Sequence, residues 1–307
     1  MKKTLCIFLC LAFFAPVTTF AASAAEADGR YPPGEYIIND SETGWKVIDV
    51  SYWNGDIDWE KVRADGVKAV IMRLGYRGSR AYTLVEDVKF KAYYDGASKA
   101  GLYIGVYFYS LARDVKDAAE EARFTAEKLK EYGCALDFPV YYDIEDRRIE
   151  VKSKTECTEL VIAFCETIKK EGFYPGVYCN KYWATEKLNM SEFEDCAVWI
   201  AMYAKTCDYA GPYGMWQYSE TGKVDGIKEY ADLNVCYVNY QMLVNSEKEN
   251  EKPKGGAGAP EQLSGDVNGD GVISHEYARL ILRDITKIGI FQMNFPPQQD
   301  CGVSKGF

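Results

Sequence analysis

One histidine, His275, occurs in 307 residues, and it lies close to the C-terminus. The large apolar-patterned region before it therefore has no Ser-His-Asp triad, no Cys-His pair and no His-ligated zinc site. No C-x-x-C pair occurs, which argues against a zinc ribbon. Neither a G-x-x-x-x-G-K-[ST] phosphate loop nor a G-x-G-x-x-G turn is present. Chemistry in that region must come from Asp, Glu, Tyr, Lys or Cys. Basic residues are in deficit, 36 Lys and Arg against 46 Asp and Glu, which argues against nucleic acid as a partner. Past the N-terminal run, no stretch approaches the roughly 18 apolar residues of a membrane span.

That N-terminal run has its own reading. Lys2 and Lys3 precede an apolar stretch over residues 5–14, and Ala22-Ser23-Ala24 offers an A-x-A cleavage site. Residues 1–24 are expected to be a secretory signal peptide, giving a secreted, extracellular product. Cys10 does not make a lipobox, because Leu9 stands where a small residue is required, so no membrane anchor is expected. Eight cysteines remain: Cys134, Cys157, Cys165, Cys179, Cys196, Cys207, Cys236 and Cys301. An even count in an exported chain permits disulfides, and free buried thiols are the plain alternative.

From about residue 45, short apolar runs alternate with amphipathic helical patterns. Candidate strands cover 46–50, 69–74, 103–109, 139–144, 176–179, 197–202 and 213–217, with a weaker eighth at 230–233. Runs of this kind suit strands buried on both faces, as in parallel sheets. The spacing predicts helices over 115–132 and 155–171, with Gly101 and Gly172 as C-terminal caps. Beyond Cys179 helices are short or absent. The expected fold is α/β: an irregular, TIM-like β/α barrel over 45–245, with helices missing in its last third. A doubly wound open sheet is the alternative.

In such a barrel, function collects at the C-terminal ends of the strands. Asp49 stands at the end of the first candidate strand, Asp143 and Glu145 at the end of the fourth, and Asp232 beside the eighth. Asp143 and Glu145 are two apart, so strand alternation puts them on one face, about 6–7 Å apart, with Ile144 turned to the outer layer. Repulsion between two inward carboxyls raises one pKa and leaves the other ionised. An acid beside an anion is what glycosidic cleavage uses. A surface D-x-E at a strand end is the bland alternative. Tyr107, Tyr109, Tyr178, Trp199, Tyr203, Trp216 and Tyr218 cluster near the same ends, where sugar stacking competes with core packing as their role.

The stretches IDVSYWNGDIDWEKVRADGVKAVIMRLGYRG, YIGVYFYS, FPVYYDIED, YPGVYCNKYW, VWIAMY, YGMWQYS and DLN occur in that order. With them, residues 46–243 resemble glycoside hydrolase family 25, the lysozymes of the Chalaropsis type. The resemblance implies cleavage of the β-1,4 bond between N-acetylmuramic acid and N-acetylglucosamine in peptidoglycan, with no cofactor for catalysis. It makes Glu145 the general acid and Asp143 the partner of the substrate's 2-acetamido group. Asp49 and Asp232 complete an acidic floor. Tyr107, Tyr178 and Trp216 match groove positions, and Tyr109, Trp199, Tyr203 and Arg73 join them as expected substrate contacts. A monomer is expected. The alternatives are a non-catalytic wall-binding module, disfavoured by the presence of Glu145, and a chitinase-like N-acetylhexosaminidase, disfavoured by the absence of a D-x-x-D-x-D-x-E run.

Residues 246–264 are charged, then rich in Gly, Ala and Pro, and read as a linker. Residues 265–290 resemble one repeat of a dockerin, which implies a cohesin partner. Asp266, Asn268, Asp270, Val272 and Ser274 supply the pattern of a calcium loop, with Gly271 at the turn. Tyr277 occupies the position of the last carboxylate, which weakens any calcium site. Residues 291–307 form a tail with no second repeat.

Overall fold

The computed structural model describes residues 44–193 and 195–250, the last five through their backbone alone. The leader, the tail, most of the expected linker and the calcium loop lie outside these residues.

The chain builds a closed barrel. In order come β1 (Trp45–Val50), a 3-10 turn (Tyr52–Asn54), α1 (Trp59–Ala64), β2 (Ala69–Arg77), β3 (Leu84–Glu86), α2 (Phe90–Ala100), β4 (Tyr103–Tyr109), α3 (Val115–Glu131), β5 (Val140–Asp143), α4 (Arg147–Glu150), α5 (Lys154–Lys170), β6 (Pro175–Asn180), β7 (Ala197–Ala201), β8 (Met215–Gly222), β9 (Ala231–Cys236) and α6 (Tyr240–Asn250). Eight strands run round the barrel as β1-β2-β4-β5-β6-β7-β8-β9 and back to β1, and β3 extends β2 on the outside. The eight expected strands are all present, within a few residues of the expected bounds. Two features differ. First, β9 is antiparallel to both β8 and β1, whereas the other barrel pairs are parallel. A hairpin joins β8 to β9 with no helix between them, so β9 returns in the opposite direction. Second, β3 has three residues, too few to show a period.

Local chemistry sets the helix bounds. Asp58 caps α1, Asp114 accepts from Asp117 N at 2.9 Å to start α3, and Ser153 with Glu156 closes a capping box on α5. Gly101 ends α2 at φ +73°, and Gly172 follows α5 at φ +85°, both left-handed positions that favour glycine. After β6 only a π turn (Trp183–Lys187) and a 3-10 turn (Met190–Glu192) precede α6, so the last third is poor in helix. α6 itself continues to Asn250, into residues expected to be linker. The charged SEKEN run there is made largely of good helix formers.

Alternation sorts the strand side chains into two layers. Val47, Ile71, Tyr141, Tyr178, Trp199 and Met215 fill the barrel interior. Ile48, Val70, Val106, Tyr142, Val177 and Ile200 face outward, where helices cover them. Each such buried aliphatic chain contributes about 1.5–3 kcal/mol. Between the barrel and α3 lies a buried polar cluster. Glu121 accepts from Arg77 Nε at 2.7 Å, Tyr142 Oη at 2.8 Å and Ser110 Oγ at 2.9 Å, while Ser110 N donates to Asp143 O at 3.0 Å. This cluster fixes the end of β5 from behind. The seven described cysteines are free thiols, and Cys157 and Cys165 are both buried on α5.

Candidate active site

The carboxylates gather at one barrel end. Asp49 lies within β1, one residue before its end, and Asp232 lies on β9 directly opposite it in the antiparallel register. β5 ends at Asp143, so Glu145 sits just past the strand and not on it. The alternation nevertheless persists: Ile144 packs in the outer layer, and Asp143 and Glu145 share the inner side.

Asp49 is buried, and its Oδ2 accepts from Gln217 Nε2 at 2.9 Å and from Asn234 Nδ2 at 2.8 Å. Burial, then the charge of Asp232, pushes the Asp49 carboxyl well above the usual carboxylate range. Burial also raises Asp232. Asp143 is raised well above its ordinary value by burial, then by Glu145 and Asp49, with Arg73 opposing. Its Oδ1 is buried with no hydrogen-bond partner among the described residues. Glu145 accepts from Asn180 Nδ2 at 3.2 Å. Burial raises Glu145, and the charges of Asp232 and Asp146 add to this against the bonds from Asn180 and Tyr178. Asp146 behaves in the opposite way. Arg148 grips it through two bonds of 2.7 Å and Tyr109 Oη donates at 2.6 Å, and together they hold its carboxyl down at about 2.

The aromatic expectations divide. Tyr107 is half-buried in the mouth and stands edge-on to Trp199. Tyr178 is buried, its hydroxyl 2.9 Å from Gln217 Oε1. Tyr203 is exposed and donates to the same oxygen at 3.0 Å. Tyr109 is committed to Asp146. Two expected contacts need correction. Trp199 is 1% exposed, packed against Tyr141 and Tyr178, and its Nε1 donates to Asn234 at 2.8 Å, so it is a floor beneath the site with no free face for a sugar. Trp216 packs against the outer layer and donates to Met202 O at 2.8 Å, because alternation gives the inward place to Gln217. Arg73 is inside the mouth but held by Asp87, with Nε at 2.8 Å, and its guanidinium lies 5.0 Å from the Tyr52 ring and 5.2 Å from the Tyr76 ring.

Sequence reasoning passed over three amides: Asn180, Gln217 and Asn234. Each lies on the inward phase of a strand, Asn180 two residues after Tyr178 and Asn234 two after Asp232, and that phase was the available signal. No group of three or more His, Cys, Asp or Glu side chains among the described residues has a metal-holding arrangement. Burial raises both Asp143 and Glu145, so the anion beside the acid is Asp146, held by Arg148 and Tyr109, and not the second member of the pair. Asn180 bonds Glu145, and buried Gln217 and Asn234 bond Asp49.

A closed barrel with carboxyls and aromatic rings at its mouth suits a sugar-cleaving enzyme. The model of the glycosyl hydrolases family 25 matches residues 48–227, and the chain belongs to that family. It is 31% identical over 191 residues to the autolytic lysozyme of Clostridium acetobutylicum, covering 62% of this chain and 55% of that one. With lysozyme M1 of Streptomyces globisporus it shares 26% over 226 residues, covering 66% of this chain and 71% of the relative. Among solved structures it is similar to the modular autolysin LytC of Streptococcus pneumoniae in complex with a synthetic peptidoglycan ligand. There the TM-score is 0.56 and the identity 28%, over 64% of this chain and 47% of that one. The chain thus spans about half the length of the autolytic lysozyme and of LytC.

Proposed function

We propose that the chain is a muramidase that hydrolyses the β-1,4 bond between N-acetylmuramic acid and N-acetylglucosamine in peptidoglycan. The observation that carries this reading is the state of Glu145. It is half-buried at the mouth beside an ionised Asp146 and accepts from Asn180 at 3.2 Å, and burial, with the charges of Asp232 and Asp146, raises its carboxyl above the ordinary value. A carboxyl so held acts as the general acid on the leaving oxygen. Family membership and the two lysozyme relatives point to the same bond.

Asp143 then serves the opposite face of the sugar. Its unpartnered Oδ1 is suited to accept the N–H of a 2-acetamido group, which favours assistance by the substrate's own amide. Asp49 and Asp232 form the acidic floor, and Gln217 and Asn234 hold Asp49 in place. Catalysis in this reading uses no cofactor. The leader fits export, so the enzyme acts outside the cell, and the C-terminal repeat fits attachment to a cohesin. Glu145→Gln tests the reading: the variant should bind peptidoglycan but release no reducing ends, and wild-type release would refute the acid assignment.

A further inference from the structure

Four aromatic side chains are strongly exposed among the described residues: Trp53, Tyr182, Tyr203 and Tyr230. All four lie at the barrel end that carries the carboxylates. Trp53 follows β1, Tyr182 follows β6, Tyr203 follows β7, and Tyr230 precedes the antiparallel β9. A scatter of incidental surface rings would have populated both ends.

Trp53 stands out, at 71% exposure on a backbone that is tied down. Its turn is closed by Ser51 N donating to Asn54 Oδ1 at 2.9 Å, and Tyr52 N donates to Asp87 Oδ2 at 3.1 Å. The Tyr52 ring lies 4.3 Å from that of Trp53, and the Arg73 guanidinium lies 5.0 Å from the Tyr52 ring. Asn54 Nδ2 donates to Tyr230 O at 2.9 Å, joining this turn to the β8–β9 hairpin, and Lys223 Nζ sits 3.8 Å from the Tyr230 ring centre. A large ring on a backbone fixed in this way loses less conformational entropy when a ligand covers it than one on a mobile loop. The same Asp87 that anchors the turn also holds Arg73 in the mouth, so the turn that carries Trp53 is tied to the mouth.

We infer that Trp53, seconded by Tyr230, is a saccharide platform that carries the glycan strand beyond the bond being cleaved, on the β1/β9 side of the mouth. The inference rests on the proposed muramidase function. The occupant is a pyranose ring of the same strand, since the platform continues the mouth and a flat apolar face is what a sugar's C–H face covers. The Lys223 ammonium lies over one face of the Tyr230 ring, which remains 55% exposed.

The test uses the full chain in a Glu145→Gln background and measures sedimentation with insoluble peptidoglycan. Trp53→Ala should weaken binding roughly threefold to tenfold, and Trp53→Tyr should restore most of it. In the active enzyme, Trp53→Ala should raise KM for peptidoglycan by a similar factor while kcat changes less than about twofold. An unchanged melting temperature shows that Trp53→Ala has not damaged the fold. Binding of Trp53→Ala equal to that of the Glu145→Gln parent would overturn the platform. If that parent does not sediment with peptidoglycan at all, the muramidase reading falls first and takes the platform with it.

Discussion

Gln217 donates its amide N–H to Asp49 at 2.9 Å while its carbonyl oxygen receives the hydroxyls of Tyr178 and Tyr203 at 2.9 and 3.0 Å. One buried side chain thus links the acidic floor to the rings of the opposite wall. Tyr178 also opposes the rise of the Glu145 pKa. Removing Gln217 leaves a buried carboxyl and two hydroxyls short of partners, at a cost of about 1–3 kcal/mol for each buried polar group left unsatisfied. Gln217→Ala should lower the melting temperature and cut kcat more than it raises KM, read by thermal unfolding and by reducing-end release.

Asp146 provides a pH test. It stays ionised because Arg148 and Tyr109 bind it, and its charge helps keep Glu145 protonated. A general acid works in its protonated form, so activity falls as pH rises through its pKa. Asp146→Asn removes an adjacent negative charge, which lowers the Glu145 pKa. The alkaline limb of the kcat/KM profile should move to lower pH. An alkaline limb that stays put would show that Asp146 does not tune Glu145.

The raised carboxyls have a stability consequence of definite sign. Asp49 and Asp143 hold protons more tightly in the folded state than in the unfolded chain. Their contribution is fully present below the ordinary carboxylate range and is lost as pH rises through their raised folded values. Asp143→Asn removes this penalty, so it should raise the melting temperature at pH 7 relative to wild type while reducing activity. The difference should shrink at about pH 4, the ordinary carboxylate range. Asp146 acts in the opposite sense, its contribution being present at neutral pH and lost as pH falls toward about 2.

Much of this was legible in the residues alone. Apolar runs marked the eight barrel strands, and alternation put Asp143 and Glu145 on one side with Ile144 behind. The direction of β9 was not legible, because a weak run of six residues carries no mark of which way it runs. β3 was too short to show a period, although its end delivers the Asp87 that holds Arg73. The Trp199 expectation came from residue type near strand ends, and the Trp216 expectation from that and from the family resemblance. Type does not separate a stacking platform from a core ring, whereas phase does: position 217 is inward, so 216 is not. The same phase rule points to Asn180 and Asn234.

The C-terminal loop lies outside the described residues, and its sequence supports a separate prediction. Tyr277 stands where the last carboxylate of a calcium loop belongs, so one strong oxygen pair is missing. Calorimetric titration of the full chain with calcium should show no affinity of micromolar strength or tighter. A tight, stoichiometric heat lost in Asp266→Ala would contradict this.

The central claim is the identity of the bond and of its acid. Purified peptidoglycan is digested with the wild-type chain and with Glu145→Gln, and the released fragments are analysed by mass spectrometry of their borohydride-reduced ends. The account predicts muramitol at every new end in the wild-type digest and a rate at least roughly a thousandfold lower for Glu145→Gln. Glucosaminitol at the new ends, or undiminished release by Glu145→Gln, would contradict it.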